Sequence, residues 1–279
     1  MATFAVFGDI HGRITLMLVI ARRWEIETGQ TLDGVLQVGD FGAFPDVHRL
    51  DAATFRHAKK DSDELGFSEY LQGSEEGAAL LPHNPWPVLW MRGNHEDFDY
   101  LSRFRTPTAV DPWRQLVFLP DGQRYPLGGL HFGAMGGMAS RHTGRREDPR
   151  APKMIDARLV KTAYADGTID VLLTHAAPKA AVRGGSAALT ALAERIRPRV
   201  HLFGHHHITV GPTPGPGGSL MIGLDHLEFV RNRLQSGCWG ILEMDDSGAR
   251  WTWGDDFRWI SHLSRNGYRD WISWVARTG

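Results

Sequence analysis

Short, continuous apolar runs recur along the chain and predict strands that are buried on both faces. Each run is followed by glycine or by a polar residue. The runs are TFAVF (3–7), GVLQV (34–38), PVLWM (87–91), IDVLL (169–173) and RVHLF (199–203). Because helical patterns separate several of these runs, the sequence predicts an α/β fold.

Between these runs, helical spacing predicts a helix over 14–27 that stops at Gly29, a short helix after Asp97, and a helix over 186–197. The long polar stretch over 46–84 interrupts the alternation. We interpret it as an insertion over one edge of the fold, with a helix at 51–60.

After residue 115 the pattern is typical of a β-meander, with a turn at Asp121-Gly122. The glycine- and proline-rich stretch 211–218 predicts a flexible turn, and further strands follow it. The tail over 255–279 contains Trp259, Trp271 and Trp274, which predict a helix packed on the body. We expect one domain over 1–279.

Composition narrows the class of protein. The 279 residues are 23% charged and 42% hydrophobic, with a formal net charge of −1, so the chain is not a uniformly basic nucleic-acid binder. The single cysteine, Cys238, excludes an intrachain disulfide and makes a reducing cytoplasm the expected location. No apolar run is long enough to cross a membrane.

Polar clusters follow the five apolar runs. They are Asp9 and His11, Asp40, Asn94 and His95, His175, and His205 to His207. Ligands of open α/β sheets bind beyond the carboxyl ends of the strands, so we expect these clusters to meet. Carboxylates with imidazoles suit Mn²⁺, Fe, Zn²⁺ or Ni²⁺ better than Ca²⁺ or Mg²⁺ alone.

Spacing selects among the histidines of GHHH. Side chains at i and i+2 of an extended segment face the same side. The side chains of Asp9 and His11 can therefore face the same side, as can those of His205 and His207. The side chain of His206 then faces the opposite side. We expect His205 and His207 to be metal ligands.

Five motifs, GDIHG, GDFGA, GNHE, LLTHAAP and GHHH, occur in this order at predicted strand ends. Over about residues 3–210 the chain resembles the calcineurin-like metallophosphoesterases. The resemblance implies an α/β/β/α sandwich of two mixed sheets and two divalent metal ions. It also implies the ligands: Asp9, His11 and His207 for the first metal; Asn94, His175 and His205 for the second; Asp40 between them.

The resemblance further implies a phosphoester hydrolase in which a metal-bridging hydroxide attacks phosphorus. His95 would stay unligated and act as general acid or phosphate donor, oriented by Glu96 or Asp97. Three residues after Asp40 the family usually has Asp or Asn in a supporting role, but this chain has Ala43.

The sequence leaves open both the substrate and the class of phosphoesterase. The basic segment 139–153 places Arg141, His142, Arg145 and Arg146 where they can bind further phosphates, although a solvated loop is the simpler interpretation. GDFGAF, GNHEDFDYL and GGLHFGAMGGMAS are similar to stretches of RNA lariat debranching enzymes, which keeps a nuclease-like phosphodiesterase acting on RNA or DNA as an alternative. Those enzymes generally have cysteine at the position of Asp9.

A non-catalytic metal-binding scaffold on the same fold is a less favoured alternative, because all seven ligand positions are present. The remaining histidines are interpreted as ordinary rim or core residues: His48, His57, His83, His131, His201, His226 and His262.

Overall fold

The computed structural model describes residues 1–139 and 151–278. The strands within these ranges are β1 (Ala2–Phe7), β2 (Gly34–Gln37), β3 (Val88–Trp90), β4 (Thr108–Ala109), β5 (Leu116–Phe118), β6 (Arg124–Leu127), β7 (Leu130–Met135), β8 (Val171–Thr174), β9 (Val200–Phe203), β10 (Val210–Pro214), β11 (Leu220–Gly223), β12 (Phe229–Val230), β13 (Arg233–Leu234), β14 (Trp239–Asp245) and β15 (Gly248–Trp253). The α-helices are α1 (Ile14–Thr28), α2 (Ala52–Ala58), α3 (Gly66–Gln72), α4 (Glu75–Leu80), α5 (Phe98–Leu101), α6 (Ala157–Thr162), α7 (Ala187–Ile196) and α8 (Asp270–Thr278).

Two mixed sheets carry the fold. Within the described ranges, the first has the order β15-β14-β1-β2-β3-β5-β4, in which β1, β2, β3 and β5 are parallel. The second has the order β10-β11-β9-β8-β7-β6, in which β7, β8, β9 and β11 are parallel. Each sheet therefore has a parallel centre whose carboxyl ends share one edge.

Alternating side chains of β1 show the layering. Phe4 and Val6 belong to an apolar cluster that also contains residues of the second sheet, such as Phe132 and Leu173. Phe7 belongs to a different cluster together with much of α1. Helices α6 and α7 pack against the outer face of the second sheet. The four layers are helix, sheet, sheet, helix, which confirms the predicted α/β/β/α sandwich.

The first helix begins and ends where the sequence predicted. Its apolar residues are buried from Ile14 to Ala21, and Gly29 closes it in the left-handed conformation with φ 68°. Among the described residues, no helix combines the length and the apolar character needed to span a membrane.

The prediction of a flexible turn over 211–218 was wrong for residues 211–214, whereas Pro216–Gly218 forms a short 3-10 turn. Val210–Pro214 forms β10, which pairs antiparallel with β11 at the edge of the second sheet. Proline is tolerated there because an edge strand leaves one row of backbone groups unpaired.

The segment 46–84 folds as α2, α3, α4 and short 3-10 turns. The C-terminal α8 contacts α1 and α4. Arg265 and Arg269 of the tail pair with Asp61 and Asp63 of the segment, at 3.1 and 2.6 Å. The segment and the tail are thereby joined to each other beside α1.

Candidate active site

The carboxyl ends of the central strands of both sheets surround one cavity of about 190 Å³. Asp9 follows β1, Asp40 follows β2, and Asn94 follows β3, whereas His175 follows β8 and His205 follows β9. The residues that line the cavity are His11, Arg13, Asp40, Ala53, Thr54, His57, Glu64, Asn94, His95, His205, His207, His226 and Glu228. Asp9 and His175 are buried directly beneath, in contact with lining residues.

Asp9, His11 and His207 form one group in which the potential ligand atoms all lie within 4.8 Å of one another. Asp9 is 1% exposed, and His207 Nε2 lies 3.6 Å from Asp9 Oδ2. The backbone N–H of His205 donates to Asp9 Oδ1 and Oδ2, at 3.2 and 3.1 Å. The second sheet thus helps to hold a carboxylate that the first sheet supplies.

Asp40 lies between two sets of imidazoles. Its Oδ1 accepts hydrogen bonds from the backbone N–H of Asn94 and His95, at 2.6 and 2.8 Å. Its Oδ2 lies 3.9 Å from His11 Nε2 and 3.5 Å from His175 Nε2. One carboxylate oxygen is therefore fixed by the backbone, and the other faces the histidines.

His175 belongs to a second group, with Asp9 and Asp40, that has the same spacing of ligand atoms. Its Nδ1–H donates to the carbonyl of Val38 at 3.2 Å, and its Nε2 lies 2.9 Å from Asn94 Oδ1. Histidines that bind metals commonly donate their other ring N–H to a carbonyl in this way. The donor set, two buried carboxylates with an amide oxygen and several imidazoles, fits two divalent cations.

The pKa values follow from burial and from the two carboxylates. Burial lowers the pKa of His11 to about 4 and that of His205 to about 3. Burial also opposes the charged form of His175, but Asp40 and Asp9 outweigh it and raise the pKa of His175 to about 9. The imidazolium of His175 lowers the pKa of Asp9 and of Asp40 against the opposing effect of burial.

The alternation argument for these histidines was wrong, although the residues it selected do line the cavity. His11, Asp40, His205 and His207 have φ of 43°, 49°, 66° and 50°. These residues lie in left-handed turns beyond the strand ends, and not in extended segments. Such backbone conformations cost energy and cluster at functional sites.

Glycines in the motifs allow the backbone to approach the carboxylates. A Cβ at Gly93 would lie 2.0 Å from Asp40 Oδ1, and a Cβ at Gly204 would lie 2.2 Å from Asp9 Oδ1. Any larger residue at either position would displace the carboxylate beside it.

His95 is held by a residue that the sequence did not indicate. Its Nδ1–H donates to Asp51 Oδ2 at 2.6 Å. Asp51 Oδ1 accepts from the backbone N–H of Ala53 and Thr54, at 2.9 and 2.8 Å, as the N-cap of α2. Burial lowers the pKa of His95, but Asp51 and Asp40 outweigh it and raise that pKa to about 9.

The prediction that Glu96 or Asp97 orients His95 was wrong. Glu96 instead accepts hydrogen bonds from the backbone N–H of Phe41, Ala43 and Gly93. Asp97 pairs with Arg49 at 2.6 and 2.8 Å. Ala43 thus contributes only its backbone, and the supporting carboxylate comes from the segment 46–84.

Sequence reasoning also missed the far wall of the cavity. His226, interpreted as an ordinary histidine, lies with its ring centroid 4.3 Å from that of His207 and lines the cavity with Glu228. Both follow β11, so the rule applied to the other parallel strand ends would have found them. His57 and Glu64 also line the cavity, and no local signal in the polar segment marks them. His201, in contrast, is a buried core residue bonded to Thr174, as expected.

The predicted substrate residues Arg141, His142, Arg145 and Arg146 lie outside the described residues.

Comparison with a solved structure of TM-score above 0.5 supports this fold. TT1561 of Thermus thermophilus has 13% sequence identity and a TM-score of 0.51, covering 90% of this chain and 98% of its own. A weaker likeness is to GAP50, the anchor in the inner membrane complex of Plasmodium, with 11% identity and a TM-score of 0.47, covering 90% of this chain and 84% of its own. No curated protein gives a significant match.

A family model described as calcineurin-like phosphoesterase matches residues 2–209, which is most of the chain and includes all seven predicted ligands. The chain therefore belongs to the calcineurin-like phosphoesterase family.

Proposed function

We propose that this protein hydrolyses phosphoesters with two divalent metal ions, Mn²⁺ or one of Fe, Zn²⁺ and Ni²⁺. Asp9, His11 and His207 would hold one ion, and Asn94, His175 and His205 the other. The observation that carries the proposal is the position of Asp40, whose Oδ2 faces His11 on one side and His175 on the other. A carboxylate so placed is suited to contact both ions.

The metals, when bound, would offset the negative charge of the phosphate and activate a water nucleophile. His95 lies at the cavity wall, with its ring centroid 5.9 Å from that of His11. Its Nδ1–H is committed to Asp51, which leaves Nε2 to donate a proton to the departing ester oxygen. Water adds to phosphorus, the P–O ester bond breaks, and the alcohol leaves with that proton.

The ester class is part of the proposal. We propose a phosphatase as the first assignment and a nuclease-like phosphodiesterase as the second. The second depends on Arg141, His142, Arg145 and Arg146 contacting additional phosphates.

The buried, free thiol of Cys238 is consistent with the expected cytoplasmic location.

Hydrolysis by metal-stripped protein, with and without added Mn²⁺, tests the proposal. The substrates are p-nitrophenyl phosphate and bis-p-nitrophenyl phosphate, and Asp40→Ala is the inactive control. Metal-dependent turnover that the variant lacks would support the hydrolase, and the preferred substrate would distinguish mono- from diesterase. Absence of turnover on both, with metal demonstrably bound, would favour either a very selective enzyme or the scaffold alternative.

A further inference from the structure

The cavity has a second wall, distinct from the proposed metal ligands. It consists of Ala53, Thr54, His57 and Glu64, from the segment 46–84, together with His226 and Glu228. The family match ends at residue 209, so His226 and Glu228 lie beyond it. A leaving group that extends from a phosphate on the metals would meet this wall.

Two carboxylates define the chemistry of this wall. Glu64 has a side chain only 5% exposed, and its Oε1 accepts from Arg13 Nη2 at 3.2 Å. Glu228 Oε1 lies 2.7 Å from His226 Nε2, with a side chain 31% exposed. Within the part of the chain that the structure describes, no donor contacts Oε2 of either carboxylate. Both oxygens can therefore accept hydrogen bonds from a ligand.

Glu64 and Glu228 line the same cavity, and the negative charge of Glu228 acts on Glu64. Burial raises the pKa of Glu64 to about 7 against the effect of Arg13, and the charges of Asp61 and Glu228 contribute to the increase. A positive charge placed between Glu64 and Glu228 would relieve this repulsion.

The same wall offers little to an anion. The imidazoles of His95 and His226, whose pKa values are raised, are already paired, His95 with Asp51 and His226 with Asp225 and Glu228. Among the described residues that line the cavity, Arg13 alone carries a guanidinium or ammonium group. That guanidinium is already engaged by Asp61 at 3.0 Å and by Glu64. The carboxylates of Glu64 and Glu228 would therefore repel a leaving group that carries a carboxylate or a phosphate. They would accept hydrogen bonds from a leaving group that carries an ammonium group.

Size adds a second restriction. The cavity volume of about 190 Å³ is below the roughly 300–1,000 Å³ of pockets that enclose drug-sized ligands. The enclosed part fits a phosphate and a short chain, and a longer leaving group would extend out of the cavity mouth.

We infer that the active site selects small phosphomonoesters whose leaving group carries an ammonium group, bound between Glu64 and Glu228. This inference rests on the proposed function, because the phosphate is placed by the metal ligands. Charge-assisted hydrogen bonds to the two carboxylates would supply the selectivity.

Three phosphomonoesters of similar size test the inference with Mn²⁺-loaded protein. They are 2-aminoethyl phosphate, propyl phosphate and phosphoglycolate, with cationic, neutral and anionic leaving groups. We expect kcat/KM for aminoethyl phosphate to exceed that for propyl phosphate by at least about tenfold, with phosphoglycolate lowest. Equal values for the three esters, or faster turnover of a short oligonucleotide, would overturn the inference.

Binding separates this inference from the proposed hydrolysis. Calorimetry would compare 3-aminopropylphosphonate with butylphosphonate, which replace the ester oxygen by carbon and cannot be hydrolysed at that bond. A Kd at least about tenfold lower for the aminophosphonate supports the subsite even if no ester is turned over. Equal Kd values together with turnover of p-nitrophenyl phosphate would reject the subsite and leave the hydrolase intact.

Variants identify the carboxylates responsible. Glu228→Gln keeps the shape of a partly exposed side chain and should lower the aminoethyl-to-propyl ratio of kcat/KM, and of the phosphonate affinities, at least about fivefold. Glu64→Gln should shift both ratios in the same direction. Glu194→Gln, on the exposed face of α7, is the matched control and should keep the wild-type ratios. Unchanged ratios in both cavity variants would contradict the assignment.

Discussion

At the scale of single residues, the orientation of His95 depends on a carboxylate 44 positions earlier in the chain. Asp51 uses one oxygen to cap α2 and the other to accept from His95 Nδ1. Because α2 is part of the segment 46–84, this segment orients the proposed proton donor as well as lining the cavity. The supporting carboxylate that Ala43 cannot supply is thereby provided from elsewhere.

Asp51→Asn should lower kcat on alkyl phosphates by about tenfold or more, because a neutral amide orients and stabilises the imidazolium less well. Asn caps helices about as well as Asp, so α2 should be retained. The loss on p-nitrophenyl phosphate should be much smaller, since its leaving group needs little protonation. Steady-state rates on both substrates provide the measurement.

The matched control for this substitution is Asp46→Asn, which also changes an N-cap in the same segment. It should leave both rates close to wild type. If Asp51→Asn slowed both substrates equally, its role would be structural and not specific to the proton donor.

Metal binding should release at least about one proton at pH 7, because the pKa of His175 is raised to about 9 in the metal-free protein and a ligand imidazole must be neutral. His11 and His205 contribute none, because burial has already lowered their pKa values to about 4 and about 3. Apparent Mn²⁺ affinity should therefore rise with pH up to about 9 and then level off.

Calorimetry in buffers of different ionisation enthalpy measures this proton release. The release should fall by about one proton between pH 7 and pH 10, because near pH 10 His175 is neutral before the metal arrives. A proton release that is absent at pH 7, or constant between these pH values, would contradict His175 as the titrating ligand.

The seven proposed ligands could be selected from sequence because each follows a recognisable strand. Parallel strands in a sheet bring such residues together whatever the intervening chain does. Asp51 and Glu64 could not be selected, because their roles depend on where a polar segment folds back in space. Glu228 follows the parallel strand β11, so the same rule could have selected it.

At the scale of elements, one arginine of α1 contributes to the packing of the C-terminal tail, beside the apolar contacts between them. Arg23 has its guanidinium carbon 4.4 and 4.2 Å from the ring centroids of Trp271 and Trp274, and it also pairs with Glu27. Its side chain is only 17% exposed, so these cation–π contacts are partly desolvated and correspondingly stronger.

Arg23→Ala should lower the free energy of unfolding by about 1–2 kcal/mol, because it removes contacts with both rings and leaves α8 less well packed. Urea denaturation followed by tryptophan fluorescence gives the measurement. Arg56→Ala, which changes an exposed arginine bonded within its own helix, should cost less than about 0.5 kcal/mol. Equal effects of the two substitutions would show that the aromatic contacts contribute nothing.

A helix could be predicted where the spacing of its hydrophobic residues agreed with the residues that end helices. Helix α1, which Gly29 closes, is the example. A strand could not be predicted where pairing with another strand determines whether it forms. The stretch 210–214 carries two prolines and reads as a turn, yet it forms β10 because β11 offers it a free edge. That edge exists only in the assembled sheet, so no local pattern encodes it.

At the scale of the whole molecule, the proposed metal site joins the two sheets. Asp9, Asp40 and Asn94 come from strand ends of the first sheet, and His175 and His205 from those of the second. The buried charges of Asp9 and Asp40 repel each other, and the imidazolium of His175 partly compensates them. Two divalent ions would compensate them more fully and hold the two halves of the sandwich together.

Saturating Mn²⁺ should therefore raise the Tm of the stripped protein. An ion at 100 times its Kd stabilises the folded state by about 2.7 kcal/mol, which corresponds to roughly 5 °C or more for a chain of this size. Thermal unfolding of the stripped and the reloaded protein measures the shift. His131→Ala, which removes a half-exposed histidine away from the cavity, should keep the full shift. Asp40→Ala should lose most of it, because that carboxylate faces histidines of both donor groups; a full shift in Asp40→Ala would place the stabilising metal elsewhere.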